Sequence, residues 1–318
     1  MPYNSNITRS NVSALIPEDV SQAILDTVTQ ESAALTLFPS IRMSAKQQRL
    51  PVLSALPTAY WVNPSDTGLK QTTQMAWANK FIEAEEIAAI VPIPEAVLDD
   101  SGFDVWAQVQ PKIVEAIGRV LDEAIFFGVN KPATFPTDIV AAAVAAGNTV
   151  NLPTGTPPTA ASGGVKGVLD AVVATVEADG YDVNGWVAPR AFRSILRAIR
   201  DTTGNRLADV SLTDIDGDPI AYAMPGQWPN PATVGSVRAI AGDFSRGFIG
   251  VRQDITYKIL DQAVITDAGG LVVYNLPQQD MIALRVVFRV GFQVANPINY
   301  EQAVEGSRYP FGVMRTAA

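Results

Sequence analysis

The sequence predicts an α+β protein, and three observations support that prediction. Apolar side chains in residues 104–127 recur at steps of three and four, which is the spacing of one face of a helix. Two extended stretches, 48–54 and 75–84, flank a polar run and predict a long two-stranded hairpin. Residues 284–294 have an apolar side chain at every second position, with Arg285, Arg289 and Gln293 on the other side, which is the period of a strand with one buried face.

The hairpin is the element that depends most on a partner. A two-stranded ribbon with so little apolar surface is marginally stable by itself. Most of the area that it could bury belongs to Trp61, Met75 and Trp77. Two interpretations remain open: the hairpin folds back over its own domain, or it is an arm that lies on a neighbouring subunit.

The long helix is predicted to begin after Asp104 as its N-cap and to end at Gly128, a residue suited to the turn that follows a helix. Pro111 cannot donate a hydrogen bond to the preceding turn, which predicts a bend or two stacked helices. The expected apolar stripe consists of Trp106, Val109, Ile113, Ile117, Val120, Ala124 and Phe127.

An N-terminal arm and several shorter elements complete the predicted secondary structure. Val20 and Ile24 lie on the apolar stripe of a predicted helix over residues 17–30, which would pack on a partner or on the rim of the domain. Other elements are predicted at 85–92 (strand), 95–99 (helix), 164–179 (helix), 186–188 (strand) and 189–200 (helix). Residues 129–162 are interpreted as a connector with one short strand, and 207–280 as short strands and turns.

The composition of the 318 residues narrows the classes of function. With no histidine and no cysteine, the chain has no imidazole or thiolate for catalysis or metal binding. A net charge of −9 argues against binding nucleic acid by neutralising phosphates. The longest apolar run, 139–146, is less than half of the roughly 20 residues that a membrane span needs. Without a signal peptide, the protein is expected to be made and assembled in the cytoplasm.

Two short motifs resemble ligand loops, but neither has the complete pattern. The acidic stretch 214–218 resembles the opening of a calcium loop, yet its twelfth position is Pro225 where that loop needs a glutamate. The stretch 163–167, which contains Lys166, lacks the ending of a phosphate-binding loop. We therefore predict a polar turn at 214–218, and no catalytic, cofactor or metal site.

Four arginines, Arg190, Arg193, Arg197 and Arg200, follow one another at steps of three, four and three. This spacing predicts one solvated helix face, with subunit contact as the main alternative.

An ordered set of motifs runs through nearly the whole chain: 13–20, 50–51 with 59–62, 93–101, 121–128, 186–190 continuing to 200–204, 242–244, and 285–292. In order and spacing this set resembles the major capsid proteins of tailed bacteriophages, which have the Hong Kong 97-like fold. The resemblance implies an N-terminal arm (1–33), the first part of a peripheral domain (34–46), an extended β-hairpin loop (47–84), the rest of the peripheral domain (85–135) with its spine helix (104–127), an axial domain (136–280), and a peripheral closing strand with a C-terminal tail (281–318).

The function that the resemblance implies is structural and not enzymatic. Identical subunits would form pentamers and hexamers and close into an icosahedral head around double-stranded DNA, as part of the virion. Implied partners are a separate scaffolding protein, a portal and, optionally, a decoration protein, with no cofactor and no membrane. The expected contacts between subunits are Val20, Ile24, Trp61, Lys70, Met75, Trp77, Arg193 and Arg197. The alternatives are an encapsulin-type shell protein, which would have a cargo groove under its arm, and a soluble α+β enzyme.

Two departures from the family pattern are expected. Some members carry a scaffolding segment before the arm, and since this sequence starts at the arm, we expect scaffolding to be separate or absent. Some members also join a loop lysine to an asparagine of another subunit, with a glutamate as base. The residues that could take these roles are Lys70, Asn296 or Asn299, and Glu301 or Glu305. A solvated or ion-paired Lys70 is the preferred interpretation.

Overall fold

The structure is a computed structural model that describes residues 32–62, 70, 72–100, 105–152, 164–199, 210–224, 226, 228 and 237–316. Its helices are α1 (Ala33–Leu37), α2 (Glu95–Asp100), α3 (Val105–Phe127), α4 (Ile139–Ala146), α5 (Gly164–Ala178) and α6 (Phe192–Ala198). Its strands are β1 (Ser40–Arg42), β2 (Gln47–Ala55), β3 (Ala76–Glu83), β4 (Glu85–Pro94), β5 (Thr149–Leu152), β6 (Gly185–Ala188), β7 (Asp214–Ile215), β8 (Asp218–Tyr222), β9 (Val237–Gly242), β10 (Gly247–Leu260), β11 (Val264–Thr266), β12 (Val272–Asn275), β13 (Met281–Val294) and β14 (Phe311–Thr316).

Helices and sheets are mixed along the chain, as the α+β prediction requires. The sheets have the strand orders β1-β10-β13-β4, β11-β12, β5-β14-β9-β6-β8-β7 and β2-β3. The predicted hairpin corresponds to β2 and β3, and the predicted alternating strand to β13, whose six predicted inward side chains, at every second position from Leu284 to Val294, are all buried. Both predictions are confirmed. The two elements could be predicted because their signal is local periodicity, which the sequence itself contains.

The chain divides into two compact units. The described part of the first lies in Glu86–Gly118 and Gln253–Val290, and the second consists of Glu31–Glu85, Arg119–Arg252 and Gly291–Ala318. In the first unit, Ile93, Val97 and Val105 form one small core. A second small core packs Leu276 and Met281 under the β11–β12 hairpin. These are two small, separate clusters within the described part of this unit.

The second unit is built around the six-stranded sheet. Leu169 and Val172 of α5, Leu196 of α6 and Trp186 of β6 belong to its main core. Five aromatic rings form a further cluster, in which Phe38 lies 5.2 to 6.1 Å from its four neighbours, measured between ring centroids: Phe126, Phe244, Phe292 and Phe311. Such tilted and edge-on pairs add stability beyond the apolar area that they bury.

The C-terminal segment is a strand, and the expectation of a tail is wrong. Strand β14 lies inside the six-stranded sheet, where Val313 is opposite Thr149 of β5 in parallel register and opposite Ile240 of β9 in antiparallel register. Five of its six residues are buried. A strand covered on both faces has no apolar–polar alternation, so periodicity alone could not reveal it.

Helix α3 confirms the predicted long helix but corrects its apolar stripe. Val120, predicted to face inward, is 46% exposed, whereas Leu121 and Ile125 are buried. Together with Ile113 and Ile117 these residues form a run of steps of four. At 3.6 residues per turn, successive steps of four stay close to one face, while Val120 is rotated away from it.

The structure describes the C-terminal end of α3 but not the residue that was predicted to cap its N-terminal end. Gly128 has a φ of 67° and its N–H donates to the Ala124 carbonyl at 3.2 Å, the hydrogen bond that closes a helix with a left-handed residue. The helix continues through Pro111, so the predicted alternative of two stacked helices is wrong. Asp104, the predicted N-cap, lies outside the described residues.

Helices α1 and α4 and the length of β10 were not predicted. Helix α4 occupies a stretch interpreted as connector, although Asp138 caps it by accepting from Ala141 N–H at 3.0 Å and Gly147 ends it with a φ of 92°. Strand β10 has 14 residues where only short strands were expected. Predicted elements β4, α2, α5 and β6 are confirmed, and α6 is shorter than predicted because residues 190–191 form a turn.

Asp122, on the buried side of α3, positions α1. Its carboxylate accepts hydrogen bonds from the Ser32 hydroxyl and from the backbone N–H groups of Ala33 and Ala34, the latter two at 2.9 and 3.0 Å. These are N–H groups at the start of a helix, which have no partner inside the helix. Asp122 therefore joins two segments that are 88 to 90 residues apart.

The first prediction concerns this carboxylate. Asp122→Asn replaces one acceptor oxygen with an NH₂ group, which leaves a buried donor of α1 without a partner. The free energy of unfolding, measured in urea, is expected to fall by about 1–3 kcal/mol. Asp182→Asn, at an exposed position, is the matched control and should change little. Equal stability of the two variants would contradict the role given to Asp122.

Candidate functional site

The hairpin of β2 and β3 has two chemically different faces. Leu53 lies opposite Trp77, and Arg49 opposite Phe81, in antiparallel register. Because side chains alternate along a strand, these four residues share one face, which we call the outer face. Trp77 is 62% exposed and Phe81 is 45% exposed. Two large aromatic groups thus project from a surface that the described part of the chain does not cover.

The opposite face of the hairpin, which we call the inner face, packs against other residues of the same chain. Ile82 is fully buried and packs with Met43 and Ala84. A Cβ atom added at Gly250 would lie 2.8 Å from Ile82 Cγ2, and one added at Gly291 would lie 2.6 Å from the same atom. The base of the hairpin therefore packs against two strands at positions where each strand has a glycine and thus no side chain.

Hydrogen bonds continue this attachment along the hairpin. Ile298 N–H donates to the Leu53 carbonyl at 3.0 Å, and the Tyr300 hydroxyl donates to the Pro57 carbonyl at 2.9 Å. The interpretation that the hairpin folds over its own domain is thus correct for this face as far as Pro57. The outer face and the end of the hairpin are left exposed.

The end of the hairpin carries a second group of exposed apolar side chains. Trp61 is fully exposed, and Tyr60, Val62 and Met75 are about half exposed. Lys70 is also exposed, and residues 63–69 and 71 lie outside the described part of the chain. Exposed apolar groups at this density mark interaction sites in soluble proteins.

The arginine face of α6 is solvated, as predicted. Arg190, Arg193 and Arg197 are exposed, and Arg200 lies outside the described residues. The Arg193 guanidinium lies 4.2 Å from the centroid of the Tyr222 ring, a cation–π contact that orients it. Contact of Arg193 and Arg197 with another subunit stays a prediction, and so does contact through Val20 and Ile24, which lie outside the described residues.

The acidic stretch 214–218 contains the predicted polar turn, which is formed by Asp216 and Gly217 between β7 and β8. Asp216 and Gly217 both have positive φ, 55° and 94°. Asp216 accepts from Lys166 Nζ at 2.7 Å, and Asp170 binds the same ammonium group. Burial alone would lower the pKa of Lys166, but bonds to Asp170 and Asp216 outweigh burial and raise it. Among the described residues no group of three or more acidic side chains could hold a metal ion.

A cavity of about 310 Å³ opens beside the base of the hairpin. Lys80 and Glu305, which form an ion pair at 3.1 Å, are among its lining residues. Tyr309 also lines it, and within the described residues the Tyr309 hydroxyl has no hydrogen-bond partner. Burial raises the pKa of Tyr309 far above its usual value, so the hydroxyl stays neutral.

The amides considered for a covalent link are engaged in bonds within the chain. Asn296 is buried, accepts from the Tyr181 hydroxyl at 2.7 Å and donates to the Arg308 carbonyl at 2.9 Å. Asn299 donates to the Asp179 carbonyl. Each amide would have to leave these partners before it could react. This arrangement disfavours a link to Lys70. A solvated or ion-paired Lys70, the preferred interpretation, stays a prediction.

The family model for the phage capsid family matches residues 13–299. The chain belongs to this family. The major capsid protein of Staphylococcus phage 80alpha is 25% identical over 297 residues, which cover 90% of this chain and 83% of that protein. A solved structure from Microbacterium phage Oxtober96 has a TM-score of 0.81 at 37% identity, and covers 98% of this chain and 100% of its own. One from Mycobacterium phage Adephagia has a TM-score of 0.82 at 32% identity and covers 99% of both chains.

This capsid protein has the Hong Kong 97-like fold, and its function is that of a major capsid protein of tailed phages. The encapsulin and enzyme alternatives are not favoured by these relatives. It is a component of a phage virion and belongs to a family of structural shell proteins. None of the helices that the structure describes combines the length and apolar character of a membrane span.

Sequence reasoning missed some exposed apolar residues. Phe81 stands two and four positions from Asn79 and Trp77, so the period of the strand could have placed it on the outer face. Tyr300 and Val304 are also largely exposed, but they lie in irregular segments without a period. No local signal in the sequence identifies these two residues, and only their exposure in the folded chain does.

The second prediction tests the seat of the hairpin. A Cβ atom at Gly291 would lie 2.4 Å from the Glu83 carbonyl oxygen and 2.6 Å from Ile82 Cγ2. Gly291→Ala should therefore lower the free energy of unfolding by about 1–3 kcal/mol. Thermal and urea unfolding measure this change. Gly306→Ala is the control because a Cβ atom there meets no atom within 4 Å. A Gly291→Ala variant as stable as this control would show that the hairpin is not seated as described.

Proposed function

We propose that this capsid protein forms pentamers and hexamers that close into an icosahedral head around double-stranded DNA. The observation that carries the proposal is the exposed outer face and end of the hairpin, with Trp77, Phe81 and Trp61 uncovered by the described part of the chain. Because the inner face is anchored to the chain, the outer face has a fixed orientation. In the proposal, the outer face lies on a neighbouring copy.

The energetics of one such contact favour closed rings over pairs. Fully burying a large apolar side chain contributes about 1.5–3 kcal/mol, so Trp77 and Phe81 together would contribute about 3–6 kcal/mol. Association costs about 4–15 kcal/mol. One hairpin contact therefore barely offsets this cost. A ring gains one extra contact when it closes, because each copy gives and receives one hairpin.

The contact is of the head-to-tail kind, because a hairpin on one copy meets a different surface on the next. Head-to-tail contacts produce rings when the rotation between copies closes. Further contacts in the proposal come from the arm, through Val20 and Ile24, and from α6, through Arg193 and Arg197. The exposure of the two arginines supports this assignment. Lys70 is proposed as a solvated or ion-paired contact at the end of the hairpin.

The division into arm, peripheral domain, extended loop and axial domain is part of the same proposal. Its segments are 1–33, 34–46, 47–84, 85–135, 136–280 and 281–318, with the spine helix at 104–127. One adjustment follows from the sheet: β14 is hydrogen-bonded between β5 and β9. We therefore assign the C-terminal strand to the axial domain.

The partners belong to the proposal as well. We assign this capsid protein a separate scaffolding protein, a portal and an optional decoration protein, and assembly in the host cytoplasm. A net charge of −9 supports enclosure of DNA without sequence-specific binding, since phosphate contacts need a basic surface. We propose no catalytic role and no cofactor.

The third prediction tests the outer face. The double variant Trp77→Ser and Phe81→Ser removes two exposed aromatic groups, so its folding should be nearly unchanged. Loss of a hot-spot contact costs about 2 kcal/mol, or roughly 30-fold in the concentration needed for assembly. Sedimentation and electron microscopy over a concentration series measure this shift.

Ala174→Ser, at an exposed position of α5, is the control for a surface substitution to serine. It should assemble at the same concentration as the unaltered chain. The proposal fails if the double variant forms particles as readily as the control. It also fails if the unaltered chain stays a monomer at every concentration.

A further inference from the structure

We propose that the cavity beside the hairpin base is a socket for Trp61 of a second copy. This inference rests on the proposed function and specifies which side chain meets which surface. It is carried by three observations: the apolar character of α4, the composition of the cavity walls, and the complete exposure of Trp61.

Helix α4 has no polar residue on any side. Its sequence is IVAAAVAA, and Ile139 and Val140 on its inner side are buried. A helix at the surface normally carries polar residues on its outer side, and an apolar helix is normally buried. The outer side of α4 instead lines the cavity with Ala142, Ala145 and Ala146. These small residues leave room where a surface helix would present charges.

The other walls suit one aromatic side chain. Pro136 and Val294 add apolar surface. Lys80 and Glu305 stand at the wall as an ion pair, with the Glu305 side chain largely exposed. The ammonium group can face an aromatic ring, and the carboxylate can accept a hydrogen bond from an indole N–H. At about 310 Å³ the cavity is at the lower end of ligand pockets and accepts a side chain more readily than a chain segment.

Trp61 has the matching chemistry. It combines a large apolar ring system with a single N–H donor. It lies six residues beyond Ala55, the last paired residue of β2, and is fully exposed. It therefore does not occupy the cavity of its own chain. Tryptophan is among the residues enriched in the dominant contacts of protein interfaces, which cluster in well-packed pockets.

The test uses cross-linking, because the chain has no cysteine and any link must come from introduced residues. Val62→Cys keeps Trp61 intact, and Ala145→Cys places a thiol at the cavity. Particles of this double variant are treated with a short bis-maleimide and separated by denaturing electrophoresis. A ladder of covalent oligomers is expected. Trp61→Ser on the same background should abolish the ladder.

One matched pair serves as the control, and one substitute position is available for the test. Val62→Cys with Ala174→Cys, which places the second thiol on α5, should give no ladder. Should Ala145→Cys itself prevent folding, Thr137→Cys, at another residue that lines the cavity, takes its place.

The outcomes separate the two proposals. Particles that form without a Val62–Ala145 link, or with a link that survives Trp61→Ser, overturn the socket and leave the proposed assembly standing. A ladder from Val20→Cys with Ala145→Cys, without one from the Val62 pair, would place the N-terminal arm in the cavity and also overturn the socket. An unaltered chain that never assembles would overturn both proposals.

Discussion

The close approach of Ile82 to Gly250 and Gly291 is the constraint on which the hairpin depends. Because neither glycine has a side chain, Ile82 of β3 lies against both β10 and β13 and is fully buried. With the inner face seated, the two-residue period of a strand dictates that Trp77 and Phe81 face outward. One steric requirement at the base therefore sets the direction of the whole outer face.

Buried charges in the second unit are satisfied by backbone groups. Asp122 accepts from two N–H groups of α1, and Arg308 donates to the carbonyls of Pro297, Gln302, Ala303 and Asn296 at 2.9 to 3.3 Å. Burying a charge is costly unless its hydrogen-bonding capacity is filled. Asp122 ties helix α1 to the body of the unit, and Arg308 ties the irregular 296–303 segment, which in turn holds the hairpin through Tyr300. The support of the outer face thus extends beyond the hairpin itself.

Exposed aromatic residues are unfavourable in a free subunit but useful in a shell, where they can form contacts between subunits. A capsid protein must leave surface uncovered until a neighbour arrives, and contacts that are individually weak allow incorrect pairings to dissociate before a ring closes. The seat of the hairpin and the cavity beside it lie at the same end of the hairpin, whereas Trp61 lies at the other. Such a separation suits head-to-tail contacts, since a copy cannot satisfy its own exposed end.

The sequence by itself determined the elements that depend on spacing: the long helix α3, the paired strands of the hairpin, the alternating strand β13 and the polar turn at 214–218. Order and spacing of motifs were also sufficient to indicate the family. Only the tertiary structure decided that Val120 of α3 is exposed and that β14 pairs with β5 and β9. It also decided that the apolar helix α4 lines a cavity and that the outer face of the hairpin is exposed. These features depend on contacts between residues distant in sequence, and local periodicity carries no information about them.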